Sequence, residues 1–282
     1  MPDNEIKNEY FVSKQEVLLQ ENQVIFEGMT SVSAIFHAIS AGISDRQVLK
    51  IYFDRERLQK KAKEYHFLES QAKKFSFDLI LTDRNTLDRM TTGNTHGGIV
   101  AVCTKRALPF LHDAAQLPTL PFGKKDGFFV YLEGIEDPYN FGYTLRSLYA
   151  AGVDGVILSP RNWMEVAGIV ARSSAGASEQ LPIAIAEPAE AIAYMKGLGY
   201  TVVCAGIRDS VSMYDANLQF PVLLEIGGEK RGISAALLAQ SDCTVRIDYG
   251  RNFRGSLSAA SAATVLAFEV LRQNTAQKAT KE

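Results

Sequence analysis

The chain contains no apolar run that approaches the roughly 18 residues needed to span a bilayer. Its N-terminus, Met1-Pro2-Asp3-Asn4-Glu5, offers no apolar stretch of the secretory kind. No membrane partner and a cytoplasmic location are therefore expected. Cysteine is scarce: Cys103, Cys204 and Cys243 lie far apart in apolar segments, and no pair has zinc-ligand spacing. The four histidines form no H-x-x-x-H pattern. Buried free thiols and no bound metal are the expectations. An excess of positive charge is also missing. Net charge is −2, with 17 Lys+Arg against 16 Asp+Glu in residues 1–126 and 13 against 16 in residues 127–282. A nucleic-acid surface on such a chain must be a local patch. No serine sits in a G-x-S-x-G elbow, so hydrolase chemistry has no support. Gly227–Gly232 is followed by Ile233, which excludes a phosphate loop of the G-x-x-x-x-G-K-[ST] type.

What is present is an ordinary globular composition, 46% apolar and 22% charged, over a length that suggests about two domains. The first thirty residues are polar and read as a partly mobile leader. From Thr30, Val32, Ile35, Phe36 and Ile39 share one helical face. Strands are predicted at 48–53, 78–81 and 99–103, with a charged helical stretch over 54–74. This alternation predicts a small α/β domain over 1–108. Pro109, Pro118, Pro121 and Gly123-Lys124-Lys125-Asp126-Gly127 predict a linker over 109–126. Beyond it, apolar strands at 128–132, 155–158, 201–205, 222–226 and 244–247 alternate with helical stretches, the pattern of a parallel sheet covered on both faces. A last helix over 258–272 begins with small residues. The domain so defined covers 127–275, and 276–282 is a tail.

Three blocks carry candidate chemistry. Asp137-Pro138-Tyr139-Asn140-Phe141-Gly142 follows a strand and leads into a helix near 143–151, with Arg146 about one turn inside it. Parallel sheets gather ligands at such strand ends. A structural alternative makes Asn140 a helix cap and Arg146 a solvated charge. Gly227-Gly228-Glu229-Lys230-Arg231-Gly232 follows the 222–226 strand and permits close backbone approach to a ligand, or is a plain turn. Gly255-Ser256-Leu257-Ser258 opens the last helix, where a serine ordinarily caps. In the first half, His96-Gly97-Gly98 reads either as a loop with an exposed histidine or as a loop whose backbone touches RNA.

Taken in order, these blocks resemble the three motifs of the SpoU/TrmH-type RNA 2′-O-ribose methyltransferases of the SPOUT superfamily. Asp137-Pro138-x-Asn140-Phe141-Gly142-x-x-x-Arg146 matches the first motif, Gly227-Gly228-Glu229-x-x-Gly232 the second, and Ser256-Leu257 with Glu269 the third. Arg172–Ala177 resembles a further recurring segment. The first half resembles the small ribosomal-protein-like domain often fused in front, with His96-Gly97-Gly98-Ile99-Val100-Ala101 as its match. The resemblance implies an α/β fold whose C-terminal segment is threaded into a trefoil knot, preceded by that small RNA-binding domain. It implies S-adenosylmethionine as cofactor, held by Gly227, Gly228, Ile247, Leu257 and Ser258. It also implies a homodimer and a ribose in structured RNA as target, ribosomal RNA favoured over transfer RNA. Arg146, Asn140, Glu229 and Ser256 take the catalytic positions. His96, Gly97, Lys60, Lys61 and Lys63, with Lys73 and Lys74, are the candidates to meet RNA.

The chain departs from the family twice. Ser256-Leu257-Ser258 stands where the family has Ser-Leu-Asn, and Ile247-Asp248 where it has Ile-Pro. Two other functions stay open beside the methyltransferase: a catalytically weak RNA-binding or ribosome-assembly module, and a small-molecule enzyme on the same sheet.

Overall fold

In the computed structural model the described residues are 22–91, 95–135, 137–160, 162–228 and 232–279. They cluster into two units, Met1–Val32 with Arg46–Arg106 and Ser33–Asp45 with Ala107–Glu282.

The first unit is built on a four-stranded sheet of order β1-β4-β2-β3, with β1 Gln23–Glu27, β2 Val48–Asp54, β3 Asp78–Thr82 and β4 Ile99–Thr104. Strand β1 corrects the reading of the first thirty residues as a polar leader. Val24 and Phe26 are buried while Gln23, Ile25 and Glu27 between and beside them are half-buried, so the segment buries one face while pairing antiparallel with β4. Helices Ala62–Phe75 and Arg84–Met90 follow β2 and β3. Asp83 caps the second of these by accepting the Thr86 N–H at 2.9 Å. The Gly28–Ser40 helix buries Val32, Ile35 and Phe36 as its periodicity predicts, while Ile39 is half-buried.

The second unit is a seven-stranded parallel sheet of order β7-β6-β5-β10-β8-β11-β9. Its strands are β5 Phe128–Leu132, β6 Gly155–Leu158, β7 Ile183–Ile185, β8 Thr201–Ala205, β9 Val211–Ser212, β10 Val222–Ile226 and β11 Cys243–Arg246. Alternate residues of one strand serve opposite cores. Phe128, Val130 and Leu132 face the same cluster as Leu145, Leu148, Leu266 and Val270, whereas Phe129 and Tyr131 face Ile192 and Met195. The expected linker is itself folded here. Leu111, Ala114 and Phe122 are fully buried in the second core, and the Ile185 N–H donates to Pro109 O at 2.9 Å.

The Pro138–Ala150 helix packs between two others. Gly142 permits the approach on one side, because a Cβ there would lie 1.9 Å from Ser173 Oγ at the end of the Ala167–Ser173 helix. On the other side runs the last helix, Ala259–Ala279, where the Thr264 and Ser147 hydroxyls are 2.7 Å apart. Burial of Leu266 and Val270 contributes roughly 2 kcal/mol each. The alanines around them, Ala263 and Ala267, are fully buried and let the helices come close.

Candidate active site

Strand β5 ends at Leu132, and its chain enters the Pro138–Ala150 helix through a short loop. Asp137 is the helix cap, accepting the Asn140 N–H at 2.8 Å, with Pro138 in the first turn. This corrects two expectations. Asn140 does not cap the helix, and Gly142 belongs to the helix rather than to a loop. Arg146 consequently lies roughly two turns into the helix rather than one. It is exposed, on the same stripe as the exposed Tyr139 and Tyr143. Phe141 and Leu145 turn inward.

The second block closes on the loop that leads into the first. A Cβ on Gly228 would lie 1.9 Å from Gly134 O in the loop after β5, so only glycine allows these backbones to meet. Gly228 and Gly232 form an antiparallel bridge, with the Gly232 N–H donating to Gly228 O at 2.9 Å. Glu229 lies outside the described residues.

The third block joins them from the far end of the chain. Tyr249 Oη accepts the Leu257 N–H at 3.2 Å, which folds the loop after β11 back on itself. Ser258 Oγ accepts the Ser261 N–H at 3.2 Å and so caps the last helix. The expected cap is there, and its hydroxyl is turned to that task.

Between the second and third blocks, at the carboxyl ends of β8, β10 and β11, is a cleft of about 230 Å³. Of the residues expected to hold a cofactor, Gly227, Gly228, Ile247 and Leu257 line it, together with Ser256, while Ser258 is not among its lining residues. Arg146 and Asn140 do not line it either. Its remaining walls, Gly206, Ile207 and Tyr249 among them, were not anticipated. A glycine directly after strand β8 was the available signal for the first of these. A second hollow, of about 410 Å³, lies in the first unit, lined by Tyr65, Glu69, Lys73 and their neighbours. It is shallow and open to solvent, and none of the three blocks contributes to its walls.

Asp248, where the family has proline, has a defined role in the fold. Its carboxylate accepts from the Ser212 hydroxyl and pairs with Arg246 Nε at 2.9 Å, and Arg246 Nη1 donates to Ser210 O at 2.6 Å. The Ser212 hydrogen bond, then the Arg246 charge, hold its pKa below the usual carboxylate range. The clamp ties the segment after Ile207 to the strand that delivers Ile247.

Beneath the cleft, two residues before Gly227, Glu225 is buried. Its Oε2 accepts from the Cys204 thiol at 2.7 Å, and Oε1 has no hydrogen-bond partner among the described residues. Burial, reinforced by Glu133, raises its pKa to about 7 against the opposing pull of the Cys204 hydrogen bond. Burial and the Glu225 charge push the Cys204 thiol upward, so it is an inert core thiol. Cys103 is buried as expected, whereas Cys243 is only partly so. Among the described residues, no group of His, Cys, Asp and Glu could hold a metal ion, and no helix is long and apolar enough to cross a membrane.

In the first unit His96 is 2% exposed, which corrects the exposed-loop reading. Its Nδ1 accepts the Gly98 N–H at 3.1 Å, so Nε2 carries the hydrogen and donates to Asp88 at 2.8 Å. Gly97 is half-buried. Lys60 and Lys63 are exposed, as are Lys73 and Lys74; Lys61 pairs with Glu64 at 2.7 Å.

Residues 127–268 match the SpoU rRNA methylase family, and residues 28–109 match an RNA 2′-O ribose methyltransferase substrate-binding domain. The chain is 29% identical over 205 residues to the 23S rRNA (guanosine-2′-O-)-methyltransferase RlmB of Shewanella oneidensis, covering 72% of this chain and 81% of that one. It is 29% identical over 235 residues to the putative TrmH family tRNA/rRNA methyltransferase YacO of Bacillus subtilis, covering 82% and 90%. The SpoU methyltransferase AviRb from Streptomyces viridochromogenes, solved in complex with AdoMet, superposes with a TM-score of 0.72 at 22% identity, over 94% of this chain and 97% of that one. The family match takes in the parallel sheet from β5 onward and every wall of the cleft, and this chain belongs to the SpoU rRNA methylase family.

Proposed function

We propose that this protein is an S-adenosylmethionine-dependent RNA methyltransferase that modifies a ribose 2′-hydroxyl, with ribosomal RNA as the favoured target. The observation that carries the reading is the cleft, where Gly227-Gly228 and Ser256-Leu257 meet although they are far apart in sequence. Its walls fit such a cofactor. Ile207, Ile226, Ile247 and Leu257 offer apolar surface to a flat base, and glycine backbone at Gly206, Gly227 and Gly228 lets polar atoms approach closely. The bound cofactor supplies an electrophilic methyl group on a sulfonium.

The protein's task is the other partner. A ribose hydroxyl is almost fully protonated at neutral pH, so it must be oriented in line and relieved of its proton. Arg146 is assigned to orient the ribose and its phosphate and to stabilise the developing alkoxide. A guanidinium is a poor base, which favours that role over proton abstraction. Asn140, Glu229 and Ser256 position the same centre. Arg146 lies on an exposed stripe with Tyr139 and Tyr143 and outside its own chain's cleft, which supports a homodimer in which one copy's arginine serves the site of the other. On this reading residues 127–275 form the catalytic domain with the family's C-terminal knot. Residues 1–108 present Lys60, Lys63 and the Gly97 backbone to RNA in the cytoplasm, with His96 shaping that turn.

The test is transfer of labelled methyl from the cofactor to ribosomal RNA, followed by mapping of the modified nucleotide. Arg146→Ala should abolish incorporation while cofactor binding persists, and mixing it with a cleft-defective variant should partly restore turnover. Near-normal turnover by Arg146→Ala alone would remove the assignment. The weaker reading, an RNA-binding assembly module, is favoured by one observation: Ser258, standing for the family asparagine, has its hydroxyl engaged in the helix cap. RNA affinity without any methyl incorporation would decide for it.

A further inference from the structure

The loop Tyr249-Gly250-Arg251-Asn252-Phe253-Arg254-Gly255 contains cations and an aromatic that neither the cleft nor the catalytic assignment uses. Phe253 is 56% exposed, and Arg251 and Arg254 on either side are exposed as well. An isolated exposed phenylalanine is unremarkable on a protein surface. This one is held in place. Its ring centroid lies 5.7 Å from that of Tyr249, whose hydroxyl in turn accepts the Leu257 N–H. Gly255 completes the fixation, because a Cβ there would lie 2.5 Å from the Phe253 ring. The ring therefore presents a preset face to solvent without further ordering.

Charge singles out the same loop. The half of the chain after residue 126 is net acidic, yet no Asp or Glu occurs between Asp248 and Glu269, and Asp248 is paired with Arg246. The two arginines thus form a local positive patch in an acidic half. The loop is also continuous with the cleft, since Tyr249, Ser256 and Leu257 at its two ends are lining residues. An aromatic face between cations is the pairing that grips an unstacked nucleotide, base on ring and phosphates on guanidinium groups.

We infer that this loop is an RNA-binding platform on the catalytic unit, with Phe253 stacking a single-stranded base beside the target nucleotide and Arg251 and Arg254 holding its phosphates. The inference rests on the RNA methyltransferase reading and adds a surface separate from the lysines of the first unit. Three quantities test it on the full-length protein: affinity for a fluorescent single-stranded oligoribonucleotide at several salt concentrations, affinity for S-adenosylmethionine, and oligomeric state. Phe253→Ala should weaken oligoribonucleotide binding about ten-fold, and Phe253→Trp should restore it. Arg251→Ala with Arg254→Ala should lower the magnitude of the log–log salt slope by about 1.4, two phosphate contacts' worth on single strands. Cofactor affinity and oligomeric state should stay at wild-type values. Unchanged RNA affinity in both variants would overturn the inference while leaving the methyltransferase reading intact. A parallel loss of cofactor affinity would overturn it in favour of a cofactor wall, and a change in oligomeric state in favour of a contact with a second copy. Absence of RNA binding by the wild type would remove the underlying reading as well.

Discussion

Two glycine pairs in this protein follow opposite logic. Gly97-Gly98, in the first unit, is a turn filled from within: the His96 ring occupies its centre and both ring nitrogens are bonded. Gly227-Gly228, in the second, is a turn pressed backbone to backbone against Gly134, with a cleft beside it. The same residue type closes one turn and opens the other. What decides is whether a neighbouring side chain fills the space that glycine leaves. Sequence motifs of the two turns look alike in this respect, and only the packing separates a structural turn from a cradle.

The comparison can be broken or sharpened by substitution. The largest effect is expected at Gly228→Ala, where the new methyl meets Gly134 O and the turn must separate from the loop after β5. Overpacking against backbone costs about 3 kcal/mol or more, and cofactor affinity, read by calorimetry, should fall by at least about 100-fold. Retained affinity would mean that the cradle is not where the cofactor sits.

Next comes Glu225, the buried carboxyl at the stem of the open turn. It holds its proton up to about pH 7, whereas an unfolded chain releases it near 4.5. The native state therefore binds more protons across that window, and the fold loses stability as pH rises through it, about 3 kcal/mol in all. Glu225→Gln should remove this dependence, matching wild type near pH 4 and exceeding it at pH 8 in urea titrations. Parallel pH profiles for the two proteins would show that the carboxyl is already satisfied.

The closed turn should respond differently. His96→Ala leaves the Gly98 N–H and the Asp88 carboxylate without the ring, a loss of about 2 kcal/mol. Thermal unfolding should report it while cofactor affinity stays unchanged. The smallest change is Gly97→Ala. Nothing lies within 4 Å of the added methyl, so only the positive φ of 64° opposes it, at about 1 kcal/mol. A loss of cofactor binding in either variant would erase the distinction between the turns.

Much of the second unit was legible because its strands are buried on both faces. Val222–Ile226 and Thr201–Ala205 appear as mostly apolar runs, interrupted in the first only by Glu225, and their ends emerged where expected. Strands β7 and β9 are three and two residues long, too short for any periodicity to register. Strand β1 was hidden because Val24-Ile25-Phe26 is a short apolar run among polar residues, and which of the three turn inward is decided only once β4 is beside it. At the site, the helix start was displaced because Asp137-Pro138 supports either a turn or a cap, and only the Asn140 N–H bond decides. The blocks themselves were visible as motifs. The meeting of Gly134 with Gly228, the clamp on Asp248 and the burial of Glu225 arise from contacts between residues far apart in sequence, which no local pattern encodes.

The hydrogen bond from the Leu257 N–H to Tyr249 Oη makes one short loop answer to two sides, the cleft through Tyr249 and Leu257 and the solvent through Phe253. A ligand that shifts Tyr249 or Leu257 on the cleft side shifts the ring packed on Tyr249 as well, so binding on one side bears on binding on the other. Such coupling is reciprocal by thermodynamic necessity: whatever factor the cofactor adds to the affinity for RNA, RNA must return to the affinity for the cofactor. A closed thermodynamic cycle measured by titration calorimetry would give that single number from both directions, and it would make this loop the place where loading the enzyme and choosing its substrate become one equilibrium.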